Sequence, residues 1–126
     1  MGQPHLVPIV FALDGETVYS AVDAKPKRSM ALRRLDNVRM NPAVCLLADH
    51  YEDDWDRLWW VRADGRGRVL DPPDAEARRA IELLAERYPQ HRREPPKGAV
   101  LAVDVLRWSG WAAADGRQSS RGSSSE

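Results

Sequence analysis

Asp14-Gly15 stands between two short apolar, β-branched runs, and few local patterns constrain a chain more tightly. An Asp-Gly pair tolerates the backbone angles of a two-residue turn, so the runs beside it fold back as a hairpin. Leu6 to Ala12 is expected to be the first strand and Thr17 to Val22 its return. Pro8 lies inside the first run, which marks an edge position or a bulge because proline has no N–H to give a ladder.

The patterns that follow keep the same punctuation. Ser29 is a candidate N-cap for a helix starting near Met30, with Leu32, Leu35 and Val38 on one face, and Asn41-Pro42 stops it. Ala43 to Ala48 is a continuous apolar run between breakers and reads as a buried strand. His50 to Arg57 is an acidic and aromatic connection, and Leu58 to Val61 resumes the sheet. Ala63-Asp64-Gly65 fits either a second turn or a bulge in a long strand, with the apolar set returning at Val69-Leu70. From Ala77, apolar residues at Ile81, Leu84, Ala85 and Tyr88 follow the helical period until Pro89. Gln90 to Gly98 is a polar connection, and Ala99 to Trp108 alternates as a last strand. The domain is read as residues 1–114. Residues 115–126, rich in Gly, Ser and Arg, are expected to be a disordered tail. Strands joined by short turns with two helices describe a mostly-β (α+β) domain, a small antiparallel barrel with peripheral helices.

Charge and cysteine content narrow the function classes. Among 126 residues, 19 basic and 19 acidic side chains cancel, so no global field draws nucleic acid or membrane. No apolar run approaches the ~20 residues that span a bilayer. One cysteine, Cys45, rules out a disulfide framework within the chain, and Met1-Gly2-Gln3-Pro4-His5 lacks the regions of a signal peptide, so a cytoplasmic home is expected. Cys45 in mid-run reads as buried and inert. Five tryptophans accompany a single phenylalanine, and four of them lie near an arginine. That pattern suits an interface or, equally, large rings filling a small core. The early start of the first strand suggests that the domain borrows surface from a second copy.

One cluster carries chemistry. Lys25, Lys27 and Arg28 fall between a strand and a helix start, and Arg33 and Arg34 follow on the first helical turns. Phosphate needs several charge-assisted donors on a fixed frame, and a helix N-terminus adds free N–H groups. The same residues also suit a solvated charge cluster. His5, His50 and His91 are scattered and show no metal-ligand spacing, and Asp49, His50, Asp53 and Asp54 read as a solvated loop. No catalytic triad order is present.

The residues from Pro4-His5-Leu6-Val7-Pro8 through Asp14-Gly15, the basic loop, Asn41-Pro42 and Val44-Cys45-Leu46-Leu47 follow a known order. They resemble the pyridoxamine-phosphate-oxidase-like split-barrel superfamily of flavin and deazaflavin binders. Asp49-His50-Tyr51-Glu52-Asp53-Asp54-Trp55, Trp59-Trp60-Val61-Arg62 and the closing Leu106-Arg107-Trp108-Ser109-Gly110-Trp111 are similar to one branch, the coenzyme F420-dependent oxidoreductases. The likeness runs from Pro4 to Trp111.

The resemblance implies a six-stranded split barrel and a homodimer with cofactor sites at the subunit interface. It places the phosphate clamp on Arg33 and Arg34, seven to eight residues before Asn41, aided by Lys25, Lys27 and Arg28. The cofactor's ring would lie over the strand around Val7 to Val10, with Val7 and Pro8 as its site residues, and Trp59, Trp60 and Trp108 would line the site from the other subunit. The implied function is hydride transfer between a deazaflavin and an unsaturated organic substrate. FMN in the same cradle, or a non-catalytic cofactor-binding protein, are the alternatives. The cofactor carries the chemistry, so no catalytic side chain and no metal are expected. In the superfamily a helix and a first strand usually precede the Pro-His strand, and the resemblance leads to the expectation that both, including the strand that closes the barrel, are missing here.

Overall fold

The computed structural model describes residues 5–22, 28–114 and 117–122, with backbone alone at 28–32 and 117–119. Six strands and three helices are seen among them. They run β1 (Ala12–Asp14), β2 (Thr17–Ala21), α1 (Arg28–Met40), β3 (Ala43–His50), β4 (Trp59–Leu70), α2 (Ala75–Arg87), α3 (Pro89–Arg93), β5 (Val100–Ala112) and β6 (Arg117–Gly122). All pairings are antiparallel, in the order β1-β2-β5-β4-β3, with β6 added beside the far half of β5. This is the expected mostly-β split-barrel architecture.

The hairpin forms as expected, and Gly15 takes the positive φ of 62° that its turn requires. The first strand is much shorter than Leu6 to Ala12, however. Residues 5–11 lie outside the ladder, and Phe11 bonds instead to Arg87 and Tyr88 at the end of α2. The Phe11 N–H donates to Tyr88 Oη at 3.1 Å, and the Phe11 carbonyl accepts from Tyr88 Oη at 2.9 Å and Arg87 Nη1 at 2.8 Å. The Val10 carbonyl accepts from Ser20 Oγ. Both backbone groups of Phe11 are thereby satisfied without a strand partner.

Ala63-Asp64-Gly65 runs through one unbroken twelve-residue strand, and the bulge lies opposite it in β5. Val105 pairs Gly65 and Arg107 pairs Asp64, leaving Leu106 as the extra residue. Gly65 is obligatory there, since a Cβ would lie 2.3 Å from the Asp104 carbonyl oxygen.

Each face of the sheet carries one main helix. On the α1 face, Leu35 and Val38 pack on Val18, Ala63, Leu101, Val103 and Val105. The helix seats low because Gly67 lies under it, where a Cβ would come 2.7 Å from Val38 Cγ1. On the α2 face, Ala77 and Ala80 are fully buried against Tyr19, Leu70, Val100 and Ala102, and Leu84 is also fully buried. α2 ends at Arg87, and Pro89 opens α3, where its missing N–H costs nothing.

Two expectations are corrected. The tail is not wholly disordered: Arg117–Gly122 pairs with Arg107–Ala112 of β5. Its polar side chains do not matter to a ladder that needs only backbone groups from a neighbouring edge. Cys45 is exposed rather than buried. β3 is an edge strand covered only on the α1 face, so its side chains alternate between half-buried and exposed.

Candidate functional site

The predicted cofactor-binding residues are distributed by α1 and the far half of the sheet. Lys25 and Lys27 lie outside the described residues, as does the side chain of Arg28, whose backbone opens α1. Arg33 and Arg34, on consecutive helical positions, diverge. Arg33 is exposed, whereas Arg34 is half-buried. Arg34 Nε is shielded from solvent and makes no hydrogen bond among the described residues. A guanidinium N–H rarely stays buried without an acceptor. A phosphate oxygen is an acceptor of the kind this donor lacks, and Arg34 lies on the helix where the resemblance puts the clamp.

The frame under Arg34 is rigid. Val38, one turn on, contacts the strand over Gly67, and the Gly67 N–H donates to the Pro42 carbonyl at 2.7 Å. The turn after α1 is therefore pinned to β4.

The predicted tryptophans do not act as one group. Trp59 and Trp60 are neighbours in β4, so they point to opposite faces. Trp108 pairs with Ala63 on the α1 face, packs on the core there, and donates its indole N–H to Glu16 Oε1 at 3.4 Å. Trp59 shares that face two rows further on, and its ring stacks on His50 with centroids 6.2 Å apart. His50 Nε2 pairs with Glu52 Oε2, and Arg57 Nε reaches the same carboxylate oxygen at 3.4 Å. Trp60 stands on the α2 face opposite Trp111. Val7 and Pro8 are exposed on the unpaired segment, not on a strand. Trp108 and Trp59 thus lie on the face of the sheet that α1 packs against, and Trp60 lies on the other.

Two constellations had no local signal. Arg68 on β4 makes paired bonds to Asp104 (2.7 and 3.0 Å) and to Glu76 (2.9 and 2.8 Å). Tyr19 Oη donates to Glu76 at 2.8 Å, and Thr17 Oγ1 donates to Asp104 at 3.1 Å. The hydrogen bonds from Arg68 outweigh the desolvation of Glu76 and hold its carboxyl at about 2. Burial, reinforced by Glu76, pushes the Tyr19 phenol up to about 12, so it stays a donor. This network joins α2 to the sheet and touches none of the predicted site. The second is the clasp of Arg87, Tyr88 and Phe11, in which the Arg87 guanidinium lies 4.7 Å from the Phe11 ring centroid. Its partners are 76 and 77 residues apart, beyond any sequence pattern.

Cys45, though exposed, is not activated. Desolvation pushes its thiol up, against the lowering effect of Arg62. Among the described residues no three His, Cys, Asp or Glu side chains group to hold a metal. No described helix is long and apolar enough to cross a membrane.

The fold recurs in solved structures. A conserved hypothetical protein from Mycobacterium tuberculosis matches with TM-score 0.63 at 23% identity, over 89% of this chain and 71% of that one. A heme binding protein from Mycobacterium smegmatis matches with TM-score 0.60 at 16% identity, over 90% of this chain but 45% of that one. A pyridoxamine 5'-phosphate oxidase-related, FMN binding protein from Nostoc punctiforme PCC 73102 matches with TM-score 0.53 at 13% identity, over 98% and 82%. At these identities the likeness concerns the fold alone. No curated protein matches the chain. The profile of the pyridoxamine 5'-phosphate oxidase family matches residues 1–112, and the chain belongs to that family.

Proposed function

We propose that the chain is a cytoplasmic, coenzyme F420-dependent oxidoreductase that acts on an unsaturated organic substrate as a homodimer. The observation that carries this reading is Arg34, whose buried Nε lacks an acceptor on the helix before Asn41-Pro42. Arg34 and Arg33 hold the cofactor's phosphate, and Lys25, Lys27 and Arg28 serve its acidic tail. When bound, the deazaflavin supplies the hydride chemistry. The protein's part is to fix the anionic end and present Trp108 and Trp59 along the α1 face. Val7 and Pro8 border the ring. Trp60, on the opposite face, belongs to the contact with the second copy. The branch-specific Trp59-Trp60-Val61-Arg62 block and the family membership support the choice.

FMN is the second reading, favoured by the FMN-binding relative of the same fold. A non-catalytic carrier is the third, favoured by the fold shared with a heme binding protein. Titration with oxidised coenzyme F420, FMN and heme, followed by fluorescence anisotropy or absorbance, separates them. Micromolar binding of the deazaflavin alone is expected. Arg34→Ala is expected to weaken it at least ~10-fold, or ~1.4 kcal/mol, from the loss of charge-assisted bonds. Unchanged affinity in a folded Arg34→Ala variant sinks the cradle. Binding of none of the three by the folded wild type withdraws the enzyme reading.

A further inference from the structure

The last strand, β6, lies beyond the part of the chain that the family profile matches, which ends at residue 112. It runs antiparallel to β5, with Arg121 opposite Trp108 and Ser119 opposite Gly110. Directly paired residues share a face, so Arg121 stands beside Trp108 on the face that α1 packs against. On the other face Arg107 Nε donates to Ser120 Oγ at 3.0 Å and ties β6 to β5. Arg121 is exposed and makes no hydrogen bond or ion pair among the described residues.

Past Ala63 the α1 face carries no helix among the described residues, since Leu35 and Val38 seat α1 over the rows towards Gly67. The next row there is small: Gly110 on β5, Val61 on β4 and Ala48 on β3. Val61 is 39% exposed, and a Cβ at Gly110 would meet nothing closer than the Trp60 carbonyl oxygen at 3.4 Å, so the space above this row is open. Trp108 walls the row on one side. Trp59, stacked on His50, walls it on the other, four residues along β4 from the Trp108 row and so about 14 Å away at ~3.4 Å per residue. Glu52 is held there by His50 and Arg57, so that wall's acidic charge is compensated, whereas Arg121 at the opposite corner is a cation with no counter-charge among the described residues.

We propose that this trough is the substrate subsite, that it takes a planar aromatic molecule carrying a carboxylate, and that Arg121 is the specificity-determining residue. The proposal rests on the reading above for the reaction and names its substrate class. Indole rings at both ends favour a flat π-system over a bulky aliphatic one. A floor of glycine, valine and alanine lets such a ring lie against the sheet. A guanidinium receives a carboxylate through two parallel N–H bonds, which a point charge cannot match in direction. Arg34 on α1 is left for the cofactor's phosphate, so the anionic ends of the two ligands are held by different cations. The cation that selects the substrate stands on β6, outside the residues that the family profile matches.

The test is isothermal titration calorimetry with naphthoate and its neutral counterpart naphthamide, folding being checked by circular dichroism. The wild type is expected to bind naphthoate at least ~5-fold more tightly than naphthamide, a modest ratio because an exposed pair is partly screened. Arg121→Gln removes that preference and leaves the affinity for naphthamide where it was. Gly110→Val fills the floor and weakens both ligands at least ~10-fold. Saturating oxidised coenzyme F420 leaves naphthoate bound. No binding of naphthoate, a preference that survives Arg121→Gln, or an affinity that survives Gly110→Val overturns the subsite. Displacement of naphthoate by the deazaflavin overturns its assignment to the substrate. Failure of the deazaflavin to bind, with the naphthoate pattern intact, removes the cofactor reading and leaves the ring-and-carboxylate subsite standing. If Gly110→Val fails to fold, Val61→Trp fills the same row: weakened binding supports the subsite, and unchanged binding overturns it.

Discussion

The α2 face is built in two ways at its two ends. Under α2, the rows Leu70 with Val100 and Arg68 with Ala102 are closed by the chain's own helix. Small residues, Ala77 and Ala80, let that helix come close, and every charge beneath it is bonded to another. At the β3 end the same face carries Cys45, Leu47 and Trp60 with no helix above among the described residues, and its charges there are only partly paired. The first end is self-sufficient. The second has the composition of an interior and the exposure of a surface, which is the character of an interface core. The comparison teaches that burial in this chain is divided between what it covers itself and what it leaves for another surface.

The largest effect expected is at the closed end. Leu84→Ala empties a fully buried site and should cost about 2–5 kcal/mol in urea unfolding, because the packed helix cannot collapse into the gap. A loss below ~1 kcal/mol would mean that α2 is not the cover described here.

Acid titration sharpens the same contrast. The Glu76 carboxyl ionises at about 2 in the fold against 4.5 for an ordinary glutamate. Its contribution to stability is present above 4.5 and is lost as the pH falls from there towards 2, since protonation removes the bonds from Arg68. Unfolding midpoints between pH 6 and pH 3 should fall more steeply in the wild type than in Glu76→Gln. Equal slopes would remove the network from the account of α2.

The smallest effect is expected at the open end. Cys45→Ser should change unfolding stability by no more than ~0.5 kcal/mol at dilutions where the chain is monomeric, because the exposed side chain loses little packing. A large loss would place Cys45 in a core that the single chain does not show.

Much of the molecule was legible from local pattern. The Asp14-Gly15 turn, the stop at Asn41-Pro42 and the stripe of Ala77, Leu84 and Tyr88 depend on neighbours within a few residues, and each element formed. The separation of Trp59 from Trp60 was also legible, since adjacent strand residues alternate, but grouping the rings by type hid it. The first strand was not legible, because the bonds that displace it come from Tyr88 and Arg87. The paired tail was not legible either, because composition reports on side chains and the ladder uses backbone. In the candidate site, the position of Arg34 on the helix could be read from spacing. Its buried, unpartnered Nε could not.

The sequence by itself determined the turn, the two long helices, the basic cluster before Asn41-Pro42 and the family, since each follows from residues close together along the chain or from their order. Only the tertiary structure decided that β3 keeps one apolar side exposed and that Arg68 closes α2 onto the sheet. Those outcomes depend on which faces are covered and on contacts between residues tens of positions apart, and no local pattern encodes a cover that arrives from elsewhere in the chain.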